Sequence, residues 1–236
     1  MATHDSISQP ARPLLDGSVI ESKAKQVAYG IYYFARKEYL SNAYSAPMIS
    51  ASIIKVFIME YIFANQLNLQ RSINGEPLNS LLQRMIQISD NEATNAIIDQ
   101  VGMDALNQYF LQAGYTDTKI QRKMLDTQAQ SQGIENYTSL PDTMEFLKRI
   151  YSQKARFPYG EMLKILLGQQ IGTKLRSKLP ENISVANKTG ELSGVENDIG
   201  LVFAPNNPFA IVVLSNGVYD QSKMREAIGK LALAAM

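Results

Sequence analysis

Ser52 and Lys55 lie in the stretch "ISASIIKVFIMEYIF", where Ile53, Ile54, Val56, Phe57 and Ile58 flank the lysine. So apolar a run is expected to be buried. A buried ammonium group is costly unless it is paired or gives up its proton. On a helix, residues three apart share a face, ~5–6 Å apart at Cβ, so the two side chains can meet. Burial lowers a lysine pKa by disfavouring the charged form, and a neutral amine can take a hydroxyl proton and activate a serine. Pro47 comes shortly before. Ser52 is therefore expected near a helix N-terminus, where free N–H groups favour a developing negative charge. The spacing alone is not specific: Ser22 and Lys25 repeat it beside Glu21 and Lys23, as on a solvated helix face.

Two further stretches bear on the same chemistry. "ISDNEATN" carries Ser89, Asp90 and Asn91 at a helix start. By itself it reads as an N-cap, since all three residue types cap well. "ANKTGEL" carries Lys188, Thr189 and Gly190 at the end of a strand, and by itself reads as a turn. Other routes to catalysis are narrowed by composition. There is no cysteine and one histidine, His4, in a polar N-terminal tail. A thiolate nucleophile, a Ser-His-Asp triad and a histidine metal site are thereby excluded or disfavoured. No cofactor and no metal are expected. Acid–base work near neutral pH falls to Lys, Tyr, Asp or Glu.

The order S-x-x-K, S-D-N, K-T-G is the motif set of class A β-lactamases and penicillin-binding proteins. Here the intervals are 37 residues from Ser52 to Ser89 and 99 from Ser89 to Lys188. From Leu14 to Met236 the chain resembles the class A β-lactamase family of serine hydrolases. The resemblance implies that Ser52 is the nucleophile of an acyl-enzyme and Lys55 a general base for acylation. Ser89 would relay a proton to the leaving nitrogen. The backbone N–H groups of Ser52 and Glu191 would form an oxyanion hole. Asn91 would hydrogen-bond the substrate's acyl-amide group, Lys188 would keep the pocket positive, and Thr189 would help bind a substrate carboxylate. Gly190 would let its strand approach the substrate closely. Asp90 would tie the helix start, and Asn95 would steady a long loop.

That loop departs from the family pattern. The segment 122–141 resembles the family's Ω loop. In hydrolytic members a glutamate two residues after the loop's arginine activates the water that releases the acyl group. Counting from Arg122, that position is Met124, with Asp126, Gln128 and Glu135 further on. Methionine cannot accept a proton from water, so release of a β-lactam acyl group is expected to be slow unless Asp126 reaches the ester. After the third motif, where many members place an arginine near the substrate carboxylate, the sequence reads "SGVENDIG". Carboxylate binding would rest on Lys188, Thr189 and Ser193. "RKMLD" and "KTGELSGV" look more like the peptidase-like relatives that act on acyl-D-Ala-D-Ala ends of cell-wall peptides. The expected function is a penicillin-reactive serine hydrolase of the D-alanyl-D-alanine carboxypeptidase type. Its expected partner is a small-molecule β-lactam or a D-Ala-D-Ala peptide. Two alternatives stay open: a β-lactamase with Asp126 or another water activator, and a sensing module that traps a β-lactam or peptide without turnover.

The elements that must position these groups follow from periodicity. Residues 1–13 read as a tail, and "GSVIESKAKQ" as a first helix. "VAYGIYYFAR" and "YLSNAYS" alternate and read as a strand hairpin. Helical patterns occupy 50–65, 78–88, 92–101, 104–113, 141–151 and 159–167. A polar connection, 115–140, is long enough to suggest a functional loop. "SVANKTG", "ENDIGLVFAP" and "FAIVVLSNG" read as strands, followed by a last helix. The fold class is mixed α/β, with an antiparallel sheet, flanking helices and an inserted all-helical lobe. Residues 14–46 and 172–236 would form the α/β lobe and 47–171 the helical lobe, with the site at their boundary.

With 236 residues, 45% hydrophobic composition and a net charge of +1, the chain is globular and offers no electrostatic case for nucleic acid. No apolar run reaches the ~20 residues a membrane span needs, and a monomer is expected. "MATHDSISQPARP" lacks the apolar core of a signal peptide. Placement outside the cytoplasm, at the cell envelope, follows from the family alone and requires a leader removed.

Overall fold

Strand alternation and helical stripes sort the chain into a sheet built from its two ends and a block of helices between them. The computed structural model describes residues 16–236. The tail read over 1–13, with His4, lies outside the described residues. In chain order, α1 (Ser18–Glu21) leads into β1 (Ala24–Tyr33), β2 (Glu38–Ser41) and β3 (Met48–Ile49). A 3₁₀ turn, Ala51–Ile53, opens α2 (Ile54–Ala64). A small hairpin, β4 (Ser72–Ile73) and β5 (Glu76–Pro77), precedes α3 (Leu78–Gln87), α4 (Asn91–Val101) and α5 (Met103–Gln112). The long connection holds α6 (Thr127–Ser131) and β6 (Tyr137–Thr138), and α7 (Leu140–Ser152) and α8 (Tyr159–Leu167) follow. A second 3₁₀ turn, Leu175–Lys178, leads to β7 (Val185–Leu192), β8 (Val195–Val202), β9 (Phe209–Val218) and α9 (Gln221–Ala235).

The main sheet runs β2-β1-β9-β8-β7, and its neighbours all pair antiparallel. The mixed α/β class expected from the sequence is the one observed. Strand β9, "FAIVVLSNGV", is apolar through its first half because both faces of the sheet are covered. Val212 and Leu214 join the core beneath the helices, and Ile211 and Val213 join a second core under α1 and α9. The period of 2 sends neighbours to opposite faces. Nine of the eleven residues of α2 are buried. A helix apolar all round must run through a core rather than over it, so Lys55 and Glu60 are both carried inside.

Three elements differ from the sequence reading. "GSVIESKAKQ" is helical only over Ser18–Glu21, since Ala24 already pairs with Val218 in the sheet. The alternation of Val27, Tyr29, Ile31 and Tyr33 into one core outweighs local helix propensity. The helix read over 50–65 starts as the 3₁₀ turn that holds Ser52. Lys188, Thr189 and Gly190 lie inside β7 rather than at its end. The pairing of Leu192 with Val195 puts the reversal at Ser193 and Gly194.

Candidate active site

The turn that carries Ser52 is held from the loop, from β8 and from β7. Ser50 N donates to Asn136 O at 2.8 Å. Asn197 Nδ2, on β8, donates to Ile49 O at 2.9 Å and Ser50 O at 3.2 Å, and Asn197 Oδ1 accepts from Ser215 N at 2.8 Å. On the third side β7 passes close by. A Cβ on Gly190 would lie 3.0 Å from Ser50 O and 3.2 Å from Ser52 N. Only glycine lets the strand come this near the backbone of the serine. Ala51 holds φ +45°, Ser89 +58° and Leu125 +63°. Left-handed backbone at a non-glycine residue costs ~1–3 kcal/mol and gathers where surrounding structure fixes a functional geometry. All three of these residues border the site.

Beneath the turn, Ser89 joins two buried lysines. Lys55 Nζ donates to Ser89 O at 2.8 Å and Asn91 Oδ1 at 2.8 Å, and lies 3.2 Å from Ser89 Oγ. Lys188 Nζ donates to Ser89 Oγ at 2.9 Å and Thr189 O at 2.7 Å. Both lysines are fully buried. Burial lowers the Lys55 ammonium to about 7, and the charge of Asp90 opposes the shift. Burial also pushes Lys188 well below its ordinary value, and the nearby charges of Lys55 and Lys174 add to that. As a neutral amine, Lys55 keeps two donors for Ser89 O and Asn91 Oδ1. Its lone pair then faces Ser89 Oγ, the longest of the three contacts. A proton path from Lys188 through Ser89 to Lys55 is geometrically complete.

Among the described residues no hydrogen bond joins Ser52 to Lys55, although they stand three apart. The amine's contacts are taken by Ser89 and Asn91. Ser52 is half-buried and faces a cavity of about 120 Å³, which Asn91, Arg122, Met124, Glu135 and Glu191 also line. Catalytic hydrogen bonds are often loose before substrate arrives.

Asp90 caps α4: Oδ1 accepts from Ala93 N at 2.9 Å and Oδ2 from Arg84 Nη2 at 2.6 Å. Burial pushes its carboxyl up, but the Ala93 N–H and the Arg84 guanidinium outweigh this and hold it below the usual range.

The loop lies over the cavity and is pinned at two places. Asn95 clamps Met124, with Nδ2 donating to Met124 O at 3.0 Å and Oδ1 accepting from Met124 N at 2.8 Å. Arg122 Nη2 meets Glu135 Oε2 at 2.6 Å, and Gln130 Nε2 donates to Glu135 Oε1 at 3.0 Å. Met124 is buried and borders the same cavity as Ser52. The structure does not bring Asp126 to that cavity. Its Oδ1 accepts from Ala129 N at 2.9 Å and caps α6. Ser193, in the β7–β8 turn, is also outside the cavity lining.

One cluster gave no sequence signal. Lys174, fully buried, meets Glu191 at 2.5 Å and Glu196 at 3.1 Å. Arg225 meets Glu196 at 2.7 Å and Glu191 at 3.3 Å. Burial pushes the Glu191 carboxyl up, but Lys174 and then Arg225 and Lys188 hold it below its ordinary value. The two cations and two carboxylates balance, so the cluster joins β7, β8 and α9 and adds no net positive charge to the site. Among the described residues no group of three or more His, Cys, Asp or Glu side chains could hold a metal ion. No helix among them is long and apolar enough to cross a membrane.

This arrangement of an antiparallel sheet with flanking helices is shared with solved structures. The structure of a beta-lactamase from Sphaerobacter thermophilus superposes with a TM-score of 0.80 at 25% identity, covering 93% of this chain and 96% of that one. PBP-A has the same fold, with a TM-score of 0.80 at 23% identity and 96% of both chains covered. The extended-spectrum beta-lactamase PER-1 of Pseudomonas aeruginosa is 28% identical over 169 residues, 64% of this chain and 53% of PER-1. An imipenem-hydrolyzing beta-lactamase of Enterobacter cloacae is 28% identical over 165 residues, 65% of this chain and 54% of that protein. The chain thus spans about half the length of these curated relatives. The sequence model of the beta-lactamase enzyme family matches residues 66–236, and the chain belongs to that family.

Proposed function

We propose that this chain is a serine hydrolase that forms an acyl-enzyme on Ser52, reacting with β-lactams and with acyl-D-Ala-D-Ala peptides. The observation that carries the reading is the placement of Ser89 Oγ, 2.9 Å from Lys188 Nζ and 3.2 Å from Lys55 Nζ, beside the turn that holds Ser52. Ser52 Oγ attacks the carbonyl carbon and its proton passes to Lys55. The C–N bond breaks as the leaving nitrogen takes a proton through Ser89, leaving an ester on Ser52. Developing negative charge on the carbonyl oxygen is met by the N–H groups of Ser52 and Glu191. Asn91 binds the acyl-amide group, and Lys188 and Thr189 attract the substrate carboxylate. Water then adds to the ester, releasing the acid and restoring the hydroxyl.

Release is the slow step for a β-lactam. The two carboxylates that line the cavity are ion-paired, Glu135 to Arg122 and Glu191 to Lys174, and Met124 offers no base. With a D-Ala-D-Ala peptide the leaving amine departs and makes room for water. With a β-lactam it stays tethered to the acyl group. This contrast favours carboxypeptidase activity over β-lactam turnover. Labelling with a fluorescent penicillin tests the reading. The wild type takes up label, Ser52→Ala takes up none, and the wild type cleaves an acyl-D-Ala-D-Ala ester. A wild type inert toward both compounds, or a Ser52→Ala variant that labels normally, would contradict it.

A further inference from the structure

A second cavity lies in the helical lobe. It has a volume of about 270 Å³ and is lined by Glu60, Phe63, Tyr109, Phe157, Tyr159 and Met162 with neighbouring chain. It shares no residue with the lining of the Ser52 cavity. Both sites draw on α2, but Glu60 follows Lys55 by five residues and so points ~140° away around the helix. Glu60 is 2% exposed, and its Oε2 has no hydrogen-bond partner. A buried carboxylate oxygen left unpaired is costly, and its persistence calls for an explanation.

The surroundings fix what could meet that oxygen. From α5 comes Tyr109, and from the chain after α5 comes Tyr115, whose hydroxyl hydrogen-bonds the Glu60 carboxyl. From α7 come Arg149 and Glu145, and from α8 comes Tyr159. Arg149 is already engaged: Nε donates to Glu145 Oε1 at 3.0 Å, Nη1 to Tyr115 Oη at 3.2 Å and Nη2 to Ala113 O at 2.7 Å. An anion would be repelled by Glu60, and a neutral apolar molecule would leave Oε2 unpaired. Aromatic faces and a carboxylate together suit a compact cation.

We propose that this cavity binds a small organic ammonium ion, held by Glu60 Oε2 and surrounded by the rings of Phe63, Tyr109, Phe157 and Tyr159. Phe157, 69% exposed, is a lining ring that stands at the protein surface. Burial holds the Glu60 carboxyl up at about 7. Ionised Glu60 attracts the cation, so binding strengthens as pH rises through that value.

Methylammonium is a suitable probe because it offers N–H donors to Oε2 and keeps its charge from pH 6 to pH 8, and methanol, which offers an O–H donor without the charge, is its neutral counterpart. Ring signals of the tyrosines and phenylalanines, followed by NMR during titration, should shift with methylammonium at pH 8 and not with the alcohol. Affinity should fall at pH 6, and in Glu60→Gln by about tenfold or more, equivalent to ~1.4 kcal/mol. Phe157→Ala, a change at an exposed residue, should weaken binding several-fold while the protein still labels with penicillin. Absence of binding by the wild type would overturn the proposal, as would equal binding of the alcohol. So would undiminished affinity in Glu60→Gln or, if that variant does not fold, in Phe157→Ala.

Discussion

Burial more than any neighbouring charge sets the proton affinity of Lys55, lowering it to about 7 against the pull of Asp90. If its neutral form is the base, the acylation rate rises with pH through about 7 and levels off above. Rapid-mixing measurements of penicillin acylation across that range check this, and a flat profile would remove Lys55 from the role. General-base loss is worth ~10²–10⁴ in rate, so Lys55→Ala should acylate slower by that factor while remaining folded. A carboxylate at position 124 is the complementary test. Met124→Glu should shorten the life of a penicillin adduct, and an unchanged lifetime would show that more than the missing base limits release. Lys55 was legible because S-x-x-K, like S-D-N and K-T-G, spans a few positions, and Met124 by counting from Arg122 in the loop. The contact of Ser89 with Lys188 spans 99 residues and could be expected only by resemblance. Asn197, Asn136 and Lys174 gave no signal, since a polar residue in a strand or loop does not announce what it will bond.

At the level of elements, the loop over the cavity depends on two small fasteners. Asn95 makes both of its hydrogen bonds to the backbone of Met124. Asn95→Ala leaves a partly buried N–H and C=O unpaired, which costs ~1–3 kcal/mol. Arg122 and Glu135 form an ion pair with side chains 6% and 11% exposed. Arg122→Ala strands a buried carboxylate and should cost ~3–5 kcal/mol. Hydrogen exchange over 122–136 should quicken in both variants, and a loop as protected as in the wild type would deny these contacts their role. Helices α3, α4, α5, α7 and α8 were legible within a residue because apolar stripes repeat at the helical period, whereas α2 starts four residues later than read and α6 was read as loop. The short α1 and the interior position of Lys188 in β7 were not legible. Both depend on which strand pairs beside them, a long-range fact with no local period.

Across the whole molecule, the lysines and acids carried into the two cores make stability depend on pH. Burial raises Glu60 from an ordinary 4.5 to about 7. The folded state therefore binds its proton more tightly than the unfolded state. Its contribution is fully present below about pH 4.5 and is lost as pH rises through about 7. The loss is ~3 kcal/mol. Asp198, which burial raises to about 6, acts in the same direction. Lys55 and Lys188, which burial lowers, act in the opposite direction, so Glu60 is read by difference. In urea unfolding one unit below and one unit above neutrality, the stability of the wild type relative to Glu60→Gln should fall from the acid to the alkaline side, and a difference that does not change with pH would deny Glu60 this part. That the main sheet draws its strands from both ends of the chain was legible from the order of strands, helices and strands. That α2 would carry a second acid beside a second cavity was not, because a glutamate in an apolar run looks the same whether it is paired or free. Acylation of Ser52 is expected to outrun release of the acyl group. Intact-mass spectrometry after addition of a penicillin, followed from minutes to hours, tests it directly. The expected result is one adduct of the antibiotic's mass, located on Ser52 and persisting through the time course. A chain that never gains mass, or one that returns at once to its free mass while the antibiotic is hydrolysed, would contradict it.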